Sequence, residues 1–216
     1  MKKKELERIL QSIPPHPRPS AGLEQYTTPA GVAADMLFLA AQLGDIEGRI
    51  VGDLGCGTGV LAIGAGLLGA RRVVGVDIDP EALNVAQRTA RAMGVELELR
   101  KGSVEDFREE LDTVLMNPPF GAQRRHADRP FLHKAFECAP VIYSFHNAAT
   151  EDFVRREAQG AGFTVTHKNK YRFSIPHMFS FHKKETQEVR VLLLRMEFGG
   201  AGSRISGVRG RDDNWR

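Results

Sequence analysis

From Arg49 onward, short continuous apolar runs alternate with longer stretches whose apolar residues recur at helical spacing. Ile50-Val51-Gly52-Asp53-Leu54 reads as a strand, and the Ala- and Gly-rich stretch 60–68 reads as a helix able to pack close to a sheet. Residues 72–77 give a second strand, and Pro80 suits the first position of a helix running to Met93 and ended by Gly94. Val95-Glu96-Leu97-Glu98-Leu99-Arg100 differs, because apolar and charged residues alternate as in a strand with one wet face. A short helix near 105–110, a strand over 112–116, a helix over 131–138 and a strand over 141–145 follow. A charged helix over 151–159, the opening of a strand at 163–166 and a long strand over 189–198 complete the pattern. Stretch 171–184, aromatic and basic, fits neither rhythm.

Strand and helix alternating at this spacing imply parallel pairing with right-handed crossovers. The fold class expected is α/β: a single Rossmann-like domain with a mostly parallel, doubly wound, seven-stranded sheet and helices on both faces. In the order 3-2-1-4-5 the alternating third strand is an edge, as its wet face requires. Ahead of the domain, residues 1–29 form a lead-in with a short helix over 5–11 and four prolines between Ile13 and Pro19. Thr28 is expected to cap a helix over 30–43, with Pro29 at its first position. The domain is expected over 30–198, and the Gly- and Arg-rich stretch 199–216 is expected to be disordered.

Composition narrows the class. No apolar run approaches the roughly 20 residues of a membrane span, and the charged start Met1-Lys2-Lys3-Lys4-Glu5 leads into no apolar signal core. Cys56 and Cys138 form no CxxC pair, so neither a disulfide scaffold nor a cysteine metal site is expected. A soluble cytoplasmic protein is the expectation. The net charge of +3 is unevenly placed: residues 1–116 carry −4 and residues 117–216 carry +7. Positive charge in the second half suits a polyanionic partner there, although a solvated surface with an arginine-rich tail would look the same.

The chemistry begins at Gly55-Cys56-Gly57-Thr58-Gly59, which follows a strand and opens a helix, where backbone and unpaired amides approach a ligand closely. Asp77 ends the next strand, 22 positions after Gly55, where a carboxylate can accept from both hydroxyls of a ribose. A dinucleotide fingerprint needs a third glycine at Val60. Asp53, two residues before the loop, could instead accept an ammonium, which an amino-acid-bearing cofactor has. Asp53 to Gly59, followed by Val76-Asp77-Ile78-Asp79-Pro80, resembles the cofactor site of class I S-adenosylmethionine-dependent methyltransferases.

Asn117-Pro118-Pro119-Phe120 ends the fourth strand. As plain turn chemistry it would stop a strand. It also resembles the Asp/Asn/Ser-Pro-Pro-aromatic motif of methyltransferases acting on planar amino or amide nitrogens. An exocyclic adenine N6 is a poor nucleophile because its lone pair is delocalised into the ring. If the Asn117 side-chain oxygen and the Pro118 carbonyl accept its two hydrogens, the lone pair can localise, with Pro119 stiffening the turn and Phe120 stacking on the base. A glutamine amide in a translation factor would fit the same motif, as would an RNA-binding protein that keeps the fold without turnover.

Over about residues 3–198 the chain resembles the small adenine-N6 methyltransferases of small-subunit ribosomal RNA. The matching segments are Leu23-Glu24-Gln25-Tyr26, 53–61, 75–79, 116–121 and Phe181-His182-Lys183-Lys184. The resemblance implies cofactor contacts at Gln25, Thr28, Gly55, Thr58 and Val60, Asp77 on the ribose, and Ser103 with Val104 beside the adenine. Many relatives carry aspartate where Ser103 stands. Tyr26, Gly57 and Ile78 complete the candidate cofactor set. Arg124, Arg125, Phe181, His182, Lys183 and Lys184 are candidates for RNA, and no metal ligand is expected. The resemblance also implies a small zinc-binding activator protein pairing with the edge strand 95–100.

Overall fold

The computed structural model describes residues 1–121, 126–176 and 186–200. Seven strands form one sheet in the order β3-β2-β1-β4-β5-β7-β6. β1 (Ile50–Leu54), β2 (Arg72–Asp77), β3 (Glu98–Lys101), β4 (Thr113–Met116) and β5 (Val141–Asn147) are parallel. β7 (Thr186–Phe198) returns antiparallel to β5, and β6 (Phe163–Pro176) pairs antiparallel with β7 at the outer edge. The central strands are buried on both faces, as their continuous apolar runs require. β3 is the other edge, and its exposed ends answer to the alternation in its sequence.

α1 (Lys3–Gln11), α2 (Ala30–Gln42) and α3 (Val60–Leu67) pack on one face, joined by the end of α4 (Pro80–Ala92). α5 (Arg129–Cys138) and α6 (Glu151–Gly160) cover the other. α4 starts as its sequence predicts: Asp79 caps it by accepting from Glu81 N at 2.8 Å, and Pro80 occupies its first turn.

Three local expectations fail. Thr28 makes no cap, since Pro29 occupies that position and the Thr28 hydroxyl is used elsewhere. The third strand begins at Glu98, after Val95 has turned into the core against α3. Stretch 105–110 forms only a 3-10 turn, Val104–Asp106, which Phe107 leaves with extended backbone, and no helix follows before β4. Glu109 bonds to both Arg72 (2.9 Å) and Arg100, which draws the segment out along β2 and β3, while Phe107 and Leu111 stay buried. Stretch 171–184 resolves in part: 171–176 continues β6, 177–185 lies outside the described residues, and so does 201–216 of the tail. Among the described residues no helix is long and apolar enough to cross a membrane.

A buried polar cluster joins the antiparallel hairpin to the start of the parallel sheet. Asp45, between α2 and β1, accepts from Tyr143 Oη at 2.6 Å and from Arg195 Nε at 2.9 Å. Its carbonyl accepts from the Thr113 hydroxyl at 2.6 Å, and Arg195 also reaches Thr166 and Glu197. Removing one member of a buried pair strands the other charge. Asp45→Ala is therefore expected to destabilise the fold by about 3 kcal/mol, and Tyr143→Phe by about 1 kcal/mol, read as shifts of urea unfolding midpoints at constant slope.

Candidate functional site

The site lies at the carboxyl ends of β1, β2 and β4, where a doubly wound sheet leaves a crevice. It is a cleft of about 630 Å³ walled by Leu23 to Tyr26, Gly55, Asp77, Ile78, Ser103, Val104, Asn117, Pro119 and the start of α5. A smaller cavity of about 60 Å³ beside it is lined by His16, Gln25, Tyr26, Thr28, Thr58 and Val60.

The glycine loop takes its shape from backbone demands. Gly55 has φ 76°, and a Cβ there would sit 2.7 Å from the Phe131 ring. The amides of Gly55 and Cys56 both donate to the Val76 carbonyl, at 2.8 and 3.0 Å, which fastens the loop to β2. Gly59, at φ 85°, precedes α3, and a Cβ there would sit 3.0 Å from the Ala86 Cβ. Only glycine meets both conditions without strain.

Three acids gather behind this loop. Asp53 is 1% exposed, and its Oδ2 accepts from Ala62 N at 2.9 Å, which supplies α3 with a cap. Burial pushes its carboxyl up to about 7, against the opposing pull of the Ala62 amide and with help from the Asp77 charge. Asp53 lines neither cavity, and its visible partner is the helix rather than open space. Asp77 accepts from Gly57 N at 2.8 Å and from Asp79 N at 2.9 Å. Burial raises its carboxyl, and these amides oppose the shift. Each oxygen keeps a second lone pair, so ribose hydroxyls can be added to these contacts. Asp79 collects His16 Nε2 at 2.9 Å and Gln25 Nε2 at 2.7 Å, and these donors hold its carboxyl below the ordinary range although burial acts the other way.

The lead-in is thereby tied across the site. Gln25 bridges Asp79 and Ser20 N. Glu24, with φ 51°, accepts from Phe120 N at 2.7 Å. Tyr26 lays its ring 5.4 Å from that of Phe120. Asn117 Nδ2 donates to the Thr28 hydroxyl at 2.9 Å, while Asn117 Oδ1 is buried with no partner among the described residues. A buried acceptor without a partner is costly, and one on the wall of a ligand-sized cleft is set to receive a donor from a ligand.

Phe120 departs from its expected placement. Its ring packs between Tyr26 and Phe173 (6.0 Å) and does not line the cleft, whereas Asn117 and Pro119 do. Pro118 is buried beneath the turn. Ser103, beside Val104, uses its oxygen to accept from Glu105 N at 3.3 Å, and Glu105 itself lines the cleft. Arg124, Arg125, Phe181, His182, Lys183 and Lys184 lie outside the described residues.

Sequence reasoning passed over Glu24, His16, Glu105 and the α5 start, where Arg129 and Phe131 wall the cleft. Asp128, buried there, faces His146 at 3.8 Å; burial would raise its carboxyl, and the imidazole holds it below the usual range. No local pattern announces His16, Glu24 or Asp128, because their partners lie 18 to 96 positions away.

Fold and cleft define an S-adenosylmethionine-dependent methyltransferase, and the family model of the methyltransferase small domain matches residues 32–140. The chain is 35% identical to the rRNA N(6)-adenosine-methyltransferase Mettl5 of Drosophila melanogaster, over 92% of this chain and 98% of the relative. It is also 35% identical to METTL5 of Danio rerio, over 90% and 98% respectively. The solved structure of a candidate RNA methyltransferase from Pyrococcus horikoshii is 43% identical, covers 92% of this chain and 98% of its own, and superposes with a TM-score of 0.87. The chain belongs to this rRNA N6-adenosine methyltransferase family.

The raised carboxyl of Asp53 gives a pH test. A carboxyl whose folded pKa exceeds its unfolded value favours the fold when protonated, so its contribution falls as pH rises from about 4 to about 7. Asp53→Asn keeps an acceptor for Ala62 N and removes the titration. The stability difference between wild type and variant is expected to change by roughly 3 kcal/mol across that window, with wild type losing ground as pH rises. Urea unfolding at pH 4.5 and 7.5 without cofactor checks the sign.

Proposed function

We propose that the protein transfers a methyl group to N6 of one adenosine in small-subunit ribosomal RNA. The observation that carries this reading is the buried, unpartnered Oδ1 of Asn117 on the wall of the cleft, its amide oriented by Thr28. S-adenosylmethionine, when bound, supplies an electrophilic methyl. Gln25, Tyr26, Thr28, the 55–60 loop, Asp77 and Ile78 would hold it, with Ser103 and Val104 beside its adenine. Glu105, on the cleft wall two positions after Ser103, offers a carboxylate close to where many relatives carry aspartate.

In this reading Asn117 Oδ1 and the Pro118 carbonyl each accept one N6 hydrogen of the target base. The amine is turned out of conjugation, and its lone pair is free to attack. Because the transferred group arrives carrying positive charge, the chain's task is alignment, and the proton released afterwards can leave to solvent. Phe120, clamped between Tyr26 and Phe173, acts as the rigid support of the turn. A glutamine amide presents a similar NH2 group, but the fly and zebrafish relatives, aligned along almost their whole length, are named for rRNA adenosine.

Labelled S-adenosylmethionine incubated with ribosomal subunits should place label in small-subunit RNA as N6-methyladenosine. Label on protein instead would sink this assignment. Asn117→Ala is expected to slow transfer by about 10²- to 10³-fold, while the cofactor dissociation constant measured by calorimetry changes little.

The same reading includes a small zinc-binding activator adding a strand beside β3. In support, β3 is a four-residue edge paired, among the described residues, only with β2. Native mass spectrometry of the co-expressed pair should show a 1:1 complex, with higher specific activity than the free chain; a fully active, partner-free chain would rule the activator out.

A further inference from the structure

The hairpin of β6 and β7 outruns the rest of the sheet. β5 stops pairing at Asn147, opposite Val191, yet β6 and β7 continue together to Pro176 and Thr186. At roughly 3.4 Å per residue, a two-stranded ribbon about 17 Å long projects past the carboxyl edge, on the side where β4 delivers Asn117.

The two faces of this ribbon differ in kind. Tyr171 and Phe173 point to the apolar side, where Phe173 meets Phe145 at 5.6 Å and Phe120 at 6.0 Å. The substrate turn and the ribbon are thus one packed unit. On the opposite face Lys168, Lys170 and Arg172 follow one another along β6, and Arg190 stands directly across from Arg172. All four are exposed. The acids nearby are Glu151, which holds Lys168 at 2.9 Å and also takes Arg155, and Glu188, 3.2 Å from Arg172 in a pair open to solvent.

Lysines on an edge strand also discourage chance strand pairing. That role does not call for two arginines opposite each other, an arrangement that costs stability in a ladder. Exposed ion pairs such as Arg172 with Glu188 exchange readily for a phosphate.

We propose that this face is a track for the sugar-phosphate backbone of the RNA strand that carries the target adenosine, with Lys170, Arg172 and Arg190 meeting phosphates. It rests on the RNA reading above. The apolar face fixes the ribbon to the turn that receives the base, and the cationic face holds the strand from which that base is turned out. Phosphate contacts of this kind set register and add affinity without reading sequence.

The test uses Lys170→Gln, Arg172→Gln and Arg190→Gln, singly and together, in the full chain. Binding of a labelled single-stranded RNA, followed by fluorescence anisotropy across salt concentrations, needs no turnover and so is independent of the methylation reading. The triple variant should bind on the order of tenfold more weakly, with a salt slope shallower by about two, and each single variant should lose about 0.7 of slope. With rRNA as substrate, KM should rise while kcat and cofactor affinity hold. Removing three exposed charges elsewhere, Arg71→Gln with Arg88→Gln and Arg91→Gln, should alter the slope far less. Unchanged slopes in the ribbon variants, or equal losses in the distant ones, would overturn the track and leave the charges as edge protection or as a surface for an acidic protein. If wild type binds RNA through the ribbon yet methylates none, the substrate reading fails and the track stands.

Discussion

The site depends on one constraint: the Asn117 amide is held through its nitrogen, which leaves its oxygen buried at the cleft wall with no partner among the described residues. Thr28 supplies that hold, and it reaches Asn117 only because the lead-in is fastened along its length. Glu24 takes the Phe120 amide, Gln25 takes Asp79, and Tyr26 lies on the Phe120 ring. Each bond is modest alone, worth about 1 kcal/mol in net terms. Together they convert a Pro-Pro turn, already poor in backbone freedom, into a rigid acceptor. Rigidity is what the proposed chemistry needs, because a nitrogen lone pair delocalised into a ring is freed when its hydrogens are held in place.

Charge is divided across the same crevice. Asp53, Asp77 and Asp79 crowd the glycine loop, and burial raises the first two against the pull of backbone amides. A cofactor that brings positive charge relieves this crowding, since an opposite charge nearby favours the ionised carboxylate. The cations lie on the far side of the substrate turn, along β6 and β7. In the proposed reading a cationic methyl donor and a polyanionic acceptor meet from opposite ends, each over charge of the opposite sign. The hairpin carrying the cations is anchored at its other end by the buried Asp45, Tyr143 and Arg195 cluster, which ties it to the first strand's approach.

How much was legible beforehand varied with the range of the interactions involved. β1 and β2 fall at the residues their apolar runs indicated, and the glycine loop, Asp77 and the 117–120 turn reach one crevice as strand alternation implied. Those features follow from steric and solvation rules acting over a few residues. The expected helix at 105–110 failed because Glu109 answers to Arg72 and Arg100 on neighbouring strands. The capping role read for Thr28 failed because its hydroxyl serves a residue 89 positions away.

The sequence by itself determined the fold class, the order of the first five strands, the glycine loop after β1 and the Pro-Pro turn after β4, because hydrophobic period and backbone stereochemistry are local properties. Only the tertiary structure decided which polar atom would lack a partner, that Phe120 would support the turn rather than face the cleft, and that an irregular stretch near 171 would extend β6 into a ribbon with one apolar and one cationic face. Those outcomes are settled by contacts between distant segments, where a hydroxyl or a ring has several possible partners and packing selects one.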